Sequence, residues 1–307
     1  MTDVLGVMTA WESTTTTVQP EAGEPVVIAL ADIVSGKPVP PRPSVRLRVT
    51  AQEAERRALE GWPAVVSEPL GEWVLRASAG FTSRANSVLA VGSPGLPLDA
   101  ALDRVTAFYA AQGLPAWAQV VVGTDAHMSL ESAGWGAARP GEADTRFQVA
   151  SVAQVARAVR GPVRAGLSSA GGAVSVSVSV SVSPDASDAW LAVDARALVD
   201  PVAARTVLEA PAQVAFVSVT GTGGELVARG RVSHCDDWAG ITDVWVARDH
   251  RRQGLALVVM AALVDWSAEQ GARTAYLQTR GDNPGALALY DQIGFVTHHE
   301  YRYLAAP

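Results

Sequence analysis

Apolar side chains between residues 254 and 266 recur at the spacing of an amphipathic helix. The positions that share one face are Gly254, Leu255, Val258, Val259, Ala262, Leu263 and Trp266. A helix with such a face packs against a sheet, and the apolar residues Val244 to Val246 before it are typical of a strand. The pattern therefore predicts a strand, a short loop and a helix in this order.

Strands and helices are predicted on both sides of this unit. Thr274 to Thr279 reads as a buried strand, and Asn283 followed by Pro284 is typical of a helix start. Upstream, Gln213 to Thr220 and Leu226 to Ser233 are predicted to form a hairpin through the glycine-rich turn 221–224.

The N-terminal half shows a similar order. Its predicted elements are a helix at 52–62, strands at Glu72 to Ala77 and Ser87 to Val91, a helix at Leu98 to Gln112, a strand at Ala116 to Val122, a helix at Asp125 to Ala133 and a strand at Thr145 to Ala150. One order occurs in both halves: a helix, a glycine, a strand, a second helix, and a glycine followed by an aromatic residue. In the first half the glycines are Gly113 and Gly134, 21 residues apart, with Trp135 next. In the second half they are Gly271 and Gly294, 23 residues apart, with Phe295 next. The two halves are therefore predicted to be copies of one unit.

Two further segments have strand character. In residues 1–46, Val4 to Glu12 and Pro25 to Ile33 are predicted strands separated by Thr-rich turn material, and a proline-rich linker closes the segment. This small β module has too few strands for a closed barrel. Ser-Val alternation from Ala173 to Ser183 favours a strand over a low-complexity linker, since Asp185 to Val193 then reads as the next helix.

Composition narrows the function classes. The 307 residues are 49% hydrophobic and 18% charged, with room for two or three domains. A net charge of -7 and a pI of about 5.3 argue against a nucleic-acid or anionic-membrane partner. The single cysteine, Cys235, fits a reducing cytoplasm, and the five histidines show no metal-ligand spacing. We expect a cytoplasmic protein without a metal, a membrane span or a signal peptide.

The loop before the long helix has the features of an anion site. It reads Arg-x-x-Gly-x-Ala, comprising Arg251, Arg252, Gln253, Gly254, Leu255 and Ala256. The first amides of a helix have no partner inside the helix, and a glycine lets the backbone approach phosphate oxygens closely. Arg248 and His250 add positive charge, whereas the Rossmann and Walker patterns do not occur. The loop therefore predicts a pyrophosphate site.

At residues 225–307 the chain resembles the catalytic half of the GNAT superfamily of acyl-CoA N-acyltransferases. The resemblance rests on the loop together with a second motif, Asn-x-x-Ala-x-x-Leu-Tyr-x-x-x-Gly-Phe, which runs from Asn283 through Ala286 and Tyr290 to Phe295. One departure is Arg248, where the family usually has proline. The resemblance implies acetyl-CoA in a gap between splayed parallel strands at 241–246 and 274–279. It assigns the acetyl and pantetheine contacts to Val244 and Val246, and the pyrophosphate to residues 252–256.

The resemblance also implies chemistry. Tyr290 is expected to be the general acid that protonates the leaving thiolate, although a purely packing role beside Phe295 is the alternative. Asp243 is the best-placed carboxylate for a general base, but a solvated strand residue, His234 or a water chain are also open. The first copy has Ser93-Pro94-Gly95-Leu96-Pro97 in place of the anion loop and no tyrosine on its second helix. It is therefore not expected to bind CoA in the same manner.

The whole chain resembles a three-part actinobacterial family with a tandem GNAT arrangement, some members of which are described as N-acetylglutamate synthases. The expected fold class is α/β (α+β), with mixed, mostly antiparallel sheets flanked by helices. The predicted domains are a partial SH3-like module (1–46), a degenerate GNAT-like domain (47–160) and a catalytic GNAT domain (161–307). Arg84, Asn86 and Ser87 are the candidates for binding a substrate carboxylate, with an ordinary turn as the alternative.

Three functions are open at this point. The first is an acetyl-CoA-dependent N-acetyltransferase acting on a small-molecule amine, with glutamate as the first candidate. The second is an acetyltransferase of the mycothiol-synthase type, and the third is a non-catalytic acyl-CoA-sensing or binding module. Retention of Tyr290 and the intact loop argues against the third, because a sensor needs no general acid. The sequence leaves the oligomeric state open.

Overall fold

The computed structural model describes residues 3–20, 23–36, 45–168 and 178–307. Residues 1–43 and 44–307 form two compact units. No helix within the described ranges combines the length and the apolar character needed to cross a membrane.

The first unit is a small antiparallel sheet. Its described strands are β1 (Gly6–Trp11), β2 (Thr15–Pro20) and β3 (Val26–Ala29), in that order. The two predicted strands are confirmed, and the second gives way to a 3-10 turn at Leu30–Asp32. The prediction of turn material between them is wrong, because the β-branched threonines of β2 favour an extended backbone. The SH3-like form of this unit stays a prediction.

The second unit contains helices on an extended sheet. Its described helices are α1 (Ala51–Gly61), α2 (Leu98–Ala111), α3 (Asp125–Ser132), α4 (Val152–Ser168), α5 (Asp188–Ala192), α6 (Ala195–Val199), α7 (Pro201–Glu209), α8 (Leu255–Glu269) and α9 (Pro284–Gln292). Its described strands are β4 (Val66–Leu70), β5 (Trp73–Ala77), β6 (Val88–Leu89), β7 (Trp117–Val121), β8 (Gly136–Ala137), β9 (Thr145–Ser151), β10 (Ser179–Ser183), β11 (Val214–Thr220), β12 (Leu226–Cys235), β13 (Trp238–Val246), β14 (Thr274–Arg280) and β15 (Val296–Ala305).

Most of the predicted elements are confirmed within a few residues. Strands β4 and β8 and helices α4, α6 and α7 were not predicted. The Ser-Val strand is confirmed at Ser179–Ser183, while residues 173–177 lie outside the described residues. The helix expected to follow it is confirmed as the shorter α5, which begins after the N-cap Ser187.

All strands described in the second unit belong to one sheet. Their order is β10-β11-β12-β13-β14-β9-β15-β7-β6-β5-β4, with β8 beside β15. The predicted internal repeat is confirmed, since β6 and β7 are parallel in the first copy and β13 and β14 are parallel in the second. The sheet is otherwise antiparallel, as expected for this fold class.

The two copies exchange their last strands. β9, from the first copy, pairs with β14 and β15, and β15 in turn pairs with β7 of the first copy. Each copy therefore completes its sheet with a strand from the other. The domain division at residue 160 stays a prediction, and α4 runs through that position.

Helices α4 and α8 cover the second copy on one side. Val155, Val159, Val259 and Leu263 are fully buried in one apolar cluster, and Arg160 of α4 forms a 2.7 Å ion pair with Asp265 of α8. The predicted apolar face of α8 is confirmed in part: Leu255, Val259 and Leu263 are buried, and Val258, Ala262 and Trp266 are partly buried against the same cluster. Met260 and Val264, which the prediction did not include, are also buried. This packing gives the loop before α8 a rigid base.

Candidate active site

A gap opens in the sheet between β13 and β14. The two strands pair in parallel from Trp238 and Thr274 as far as Ile241 and Leu277, and not beyond. At this point β13 contains a bulge, where the register with β12 shifts and Asp243 has a φ of 54°. A bulge bends and twists its strand. The splayed pair of strands predicted from the sequence is therefore present.

Backbone amides of β13 point into this gap. Ala247 donates a 2.8 Å hydrogen bond to the Val227 carbonyl, so its amide faces β12. Successive amides of a strand alternate in direction, so those of Val246 and Val244 face away from β12, toward the open side. Two donors are thus available beside the gap, at the two positions named from the sequence.

The loop after β13 leads into α8 with its amides free. A 3-10 turn at Arg248–His250 is followed by Arg252 and Gly254, with φ values of 61° and 78°. Among the described residues, no hydrogen bond is donated by the amides of residues 252–256. Two side-chain hydrogen bonds fix the loop: Arg251 Nε donates to the Val246 carbonyl at 3.2 Å, and Gln253 Nε2 donates to the Asp249 carbonyl at 3.2 Å. The loop therefore presents unpaired backbone donors at a helix N-terminus, the geometry that the predicted anion site requires.

A cavity of about 900 Å³ adjoins the gap. It is lined by both copies: Trp62, Thr82, Ser83, Arg84, Arg139 and Thr145 come from the first, and Arg196, Asp243, Val244, Gln278, Asn283, Ala286, Tyr290, Tyr301 and Tyr303 are among those from the second. Asn283 caps α9 by accepting a 3.2 Å hydrogen bond from the Ala286 amide. Val246 and residues 251–256 lie outside the cavity lining, at the other end of the gap.

Tyr290 lies on α9 and reaches the cavity wall with 7% of its surface exposed. Its ring meets Phe295 edge-on, with the ring centres 5.8 Å apart, so the packing contact considered from the sequence exists as well. No hydrogen bond of its hydroxyl is found within the described part of the chain. Burial raises the pKa of Tyr290 to about 12, which keeps the proton on the phenol. The group is thus a free donor at the gap.

Asp243 is held in an ion cluster with two arginines. Its side chain is 7% exposed, and its Oδ1 lies 3.4 Å from Arg196 Nη2 and 3.9 Å from Arg229 Nη2. Arg196 also binds Asp194 through two hydrogen bonds of 2.9 and 2.7 Å. The other oxygen, Asp243 Oδ2, is buried without a hydrogen-bond partner in the described residues. One acceptor atom of this carboxylate therefore remains available.

Arg84 projects from a strained loop of the first copy. Ala79 and Thr82, just before it, have φ values of 48° and 60°, which non-glycine residues rarely adopt. The Arg84 guanidinium lies 5.2 Å from the centre of the Trp62 ring, and its Nε is buried without a partner among the described residues. Strain and an unsatisfied donor together point to a ligand position.

Asn86 and Ser87 support this loop from behind. Asn86 Oδ1 accepts from the Ser78 and Gly80 amides, and Nδ2 donates to the Phe81 and Thr82 carbonyls. Ser87 is fully buried, and its hydroxyl accepts from Arg76. The structure does not bring these two residues to the cavity wall, and their polar groups are engaged internally. Their geometry favours a positioning role over the direct binding expected from the sequence.

The sequence profile of the family described as "Probable histone acetyltransferase Rv0428c C-terminal" matches residues 50–304. This covers both copies and the whole cavity. The chain belongs to this family. It is a GNAT-type N-acetyltransferase.

Individual relatives agree with this assignment. The present chain is 26% identical over 257 residues to the "Uncharacterized N-acetyltransferase YobR" of Bacillus subtilis. The match covers 82% of this chain and 97% of YobR. The chain is 27% identical over 316 residues to the "Probable histone acetyltransferase Rv0428c" of Mycobacterium tuberculosis, covering 100% and 89%. A solved "Tandem GNAT protein from the clavulanic acid biosynthesis pathway" shares the fold, with a TM-score of 0.53, 15% identity and coverage of 72% and 74%. The tandem GNAT fold is confirmed.

The other candidates lie elsewhere in this family member. His234 bonds to Gln213 and does not line the cavity, so it is not placed to act as the base. Cys235 donates to Glu60, and burial together with that carboxylate raises its pKa to about 12, so the thiol keeps its proton. His298 and His299 belong to β15. The described residues contain no cluster of three or more metal-ligating side chains.

Several wall residues were not identified from the sequence, among them Trp62, Arg196, Gln278 and Tyr301. Tyr301 reaches the cavity because β15 pairs with strands of the first copy, and Arg196 reaches it from the short helix α6. Neither the strand exchange nor α6 was predicted. Gln278 carried one usable signal, because it is a polar residue inside a predicted buried strand at the edge of the gap.

Proposed function

We propose that the protein transfers the acetyl group of acetyl-CoA to the amino group of a small metabolite that carries a carboxylate, with glutamate as the first candidate. The observation that carries the proposal is the combination of free backbone donors and a free phenol at one gap. The amides of residues 252–256 would hold the pyrophosphate, and the amides of Val244 and Val246 would hold the pantetheine and acetyl end.

The chemistry requires three functions from the chain. As the amine nitrogen attacks the thioester carbonyl, the Val246 amide would stabilise the developing oxyanion. Asp243, or a water chain beside it, would accept the proton that the amine loses, and Tyr290 would protonate the sulfur as the C–S bond breaks. The apolar surroundings that raise the pKa of Tyr290 also disfavour a thiolate, so this proton transfer is less unfavourable than solution values imply.

The acceptor end is proposed to be selective for small, acidic molecules. The chain is acidic overall, yet Arg84 enters the cavity without a carboxylate partner in the described residues. This supports a carboxylate-bearing acceptor rather than nucleic acid or a membrane. A cytoplasmic location is part of the proposal and rests on the single free cysteine.

The decisive experiment measures release of CoA thiol from acetyl-CoA across a panel of acceptors. The panel contains glutamate, other amino acids, a cysteinyl-sugar amine and a lysine-containing histone peptide, the last because one relative carries a histone acetyltransferase name. Turnover with an amino acid is the expected result. Turnover only with the sugar amine would favour the mycothiol-type reaction, and acetyl-CoA binding without any turnover would favour a sensor.

A further inference from the structure

Three residues of the cavity wall have a buried polar atom with no hydrogen-bond partner in the described part of the chain. They are Arg84 Nε and Gln278 Nε2, which are donors, and Asp243 Oδ2, which is an acceptor. Buried polar groups are paired in the great majority of cases, so unpaired ones along one cavity indicate where a ligand supplies the missing partners. A ligand that pairs all three atoms needs two acceptor atoms for the two donors and one donor for Asp243 Oδ2.

The charges of the wall point to an anion. Four wall arginines have carboxylate partners: Arg139 pairs with Glu142, Arg196 with Asp194 and Asp243, Arg280 with Glu142 and Asp282, and Arg302 with Asp144. Within the described residues, Arg84 is the wall arginine that has no such partner. Arg84 lies over the Trp62 ring and lacks the carboxylate that each of the other four has, so a ligand carboxylate would supply the matching counter-charge.

Gln278 is held so that its amide nitrogen is the free group. It lies on β14, one residue beyond the last pair with β13. The Tyr301 hydroxyl donates a 2.7 Å hydrogen bond to Gln278 Oε1, and Tyr301 is itself fully buried with its ring edge-on to Tyr303 at 5.7 Å. Because the oxygen is engaged by a fixed phenol, Nε2 is directed to other partners. A preorganised donor binds a carboxylate with less loss of entropy.

We propose that Gln278, oriented by Tyr301, is a specificity-determining residue for the acceptor. Its Nε2 and Arg84 Nε donate to a carboxylate of the acceptor, and Asp243 Oδ2 accepts from the acceptor amine. The acceptor class is therefore a free amino acid, recognised at both charged groups. This inference rests on the proposed acetyl transfer and adds to it a residue from the second copy.

The test compares two acceptors with one skeleton: the best amino acid of the panel, and the same compound with its carboxylates converted to carboxamides. Gln278→Met removes both amide donors at similar length. We expect it to raise KM for the acid about tenfold to a hundredfold, the effect of losing a hydrogen bond to a charged group. KM for the amide should change far less. Tyr301→Phe should raise KM for the acid by a smaller factor, since Gln278 remains but is no longer oriented.

The matched control is Gln148→Met, the same change on the neighbouring strand β9, at a buried residue outside the cavity lining. It should leave the ratio of the two KM values unchanged. An equal rise of both values in Gln278→Met would overturn the inference. So would a wild-type preference for amines without a carboxylate, although acetyl transfer itself would then stand. Absence of turnover with every acceptor would refute the proposed function and this inference together.

Discussion

The two copies share one chain path but differ at the loop that precedes the long helix. In the second copy, the amides of residues 252–256 donate no hydrogen bond to any described residue. In the first copy, the equivalent loop contains Pro94 and Pro97, which have no amide hydrogen, and the Ser93 amide donates to Glu72 Oε2 at 2.7 Å. The first copy thus neutralises its own anion position with an internal carboxylate. The same fold therefore forms with or without these free donors, because only a few backbone amides differ between the two loops.

The copies also differ at the helix that carries the phenol. In both, the amide of an aromatic residue after a glycine closes the helix: Phe295 donates to the Tyr290 carbonyl at 2.9 Å, and Trp135 to the Leu130 carbonyl at 3.0 Å. Leu130 therefore stands where the second copy has Tyr290, and it is fully buried. The first copy retains the geometry but has no proton donor there. The first copy contributes other residues to the shared cavity, among them Arg84.

The largest expected effect comes from removing the Tyr290 hydroxyl, which has no equivalent at Leu130 of the first copy. Tyr290→Phe should lower kcat about a hundredfold to ten-thousandfold, the usual range for a general acid. The affinity for acetyl-CoA, measured by calorimetry, should change little, because the ring and its contact with Phe295 remain.

The matched control is Tyr109→Phe in the first copy. The Tyr109 hydroxyl bonds to the backbone of Arg76 at 3.1 and 3.3 Å, so its loss should cost about 1–3 kcal/mol in the free energy of unfolding. Its kcat should stay near wild type. Equal kcat values for Tyr290→Phe and the wild type would show that Tyr290 only packs.

The next effect concerns the division of labour between the copies. Arg84→Ala should raise KM for a carboxylate acceptor about tenfold or more, since it removes the charged donor, with KM for acetyl-CoA unchanged. Arg251→Ala, in the anion loop of the second copy, should raise KM for acetyl-CoA and leave KM for the carboxylate acceptor unchanged. Steady-state kinetics with each substrate varied in turn would reveal the pattern, and a shift of both constants in both variants would break the comparison.

The motif-bearing part of the second copy, from the loop before α8 to α9, was predictable for a physical reason. Its helix face, N-cap and anion loop depend on local spacing, as the capping of α9 by Asn283 shows. The repeat was also visible, because glycines with positive φ, such as Gly113 and Gly271, end equivalent helices.

Features that depend on distant parts of the chain were not predictable in the same way. The exchange of β9 and β15 brings Tyr301 to the cavity, and nothing in the period of β15 indicates its neighbours. Asn86 was chosen for its polar groups, but four internal hydrogen bonds occupy them. A residue type shows what a side chain can bind, whereas only the packing shows what it already binds.

A smaller effect is expected at a pair of glycines with similar backbone angles. Gly254 and Gly95 have φ values of 78° and 72°, and alanine in this region costs about 1–2 kcal/mol. Gly254→Ala should therefore displace the loop amides and raise the Kd for acetyl-CoA about tenfold. Gly95→Ala should lower the stability by a similar amount and leave this Kd unchanged. An equal loss of affinity in both variants would mean that the loop of the first copy also contacts the coenzyme.

The smallest expected effect is at the internal carboxylate of the first copy. The Ser93 amide, followed by Arg56, holds the pKa of Glu72 below its usual 4.5. A carboxylate with a lowered pKa stabilises the folded state above its unfolded value and loses this contribution as the pH falls through the folded value. Wild type should therefore melt slightly above Glu72→Gln at pH 7, and the difference in Tm should shrink as the pH falls below about 4.5. Calorimetry should still find one acetyl-CoA per chain in Glu72→Gln, because Pro94 and Pro97 supply no amide; a second bound molecule would show that Glu72 alone had blocked the first copy.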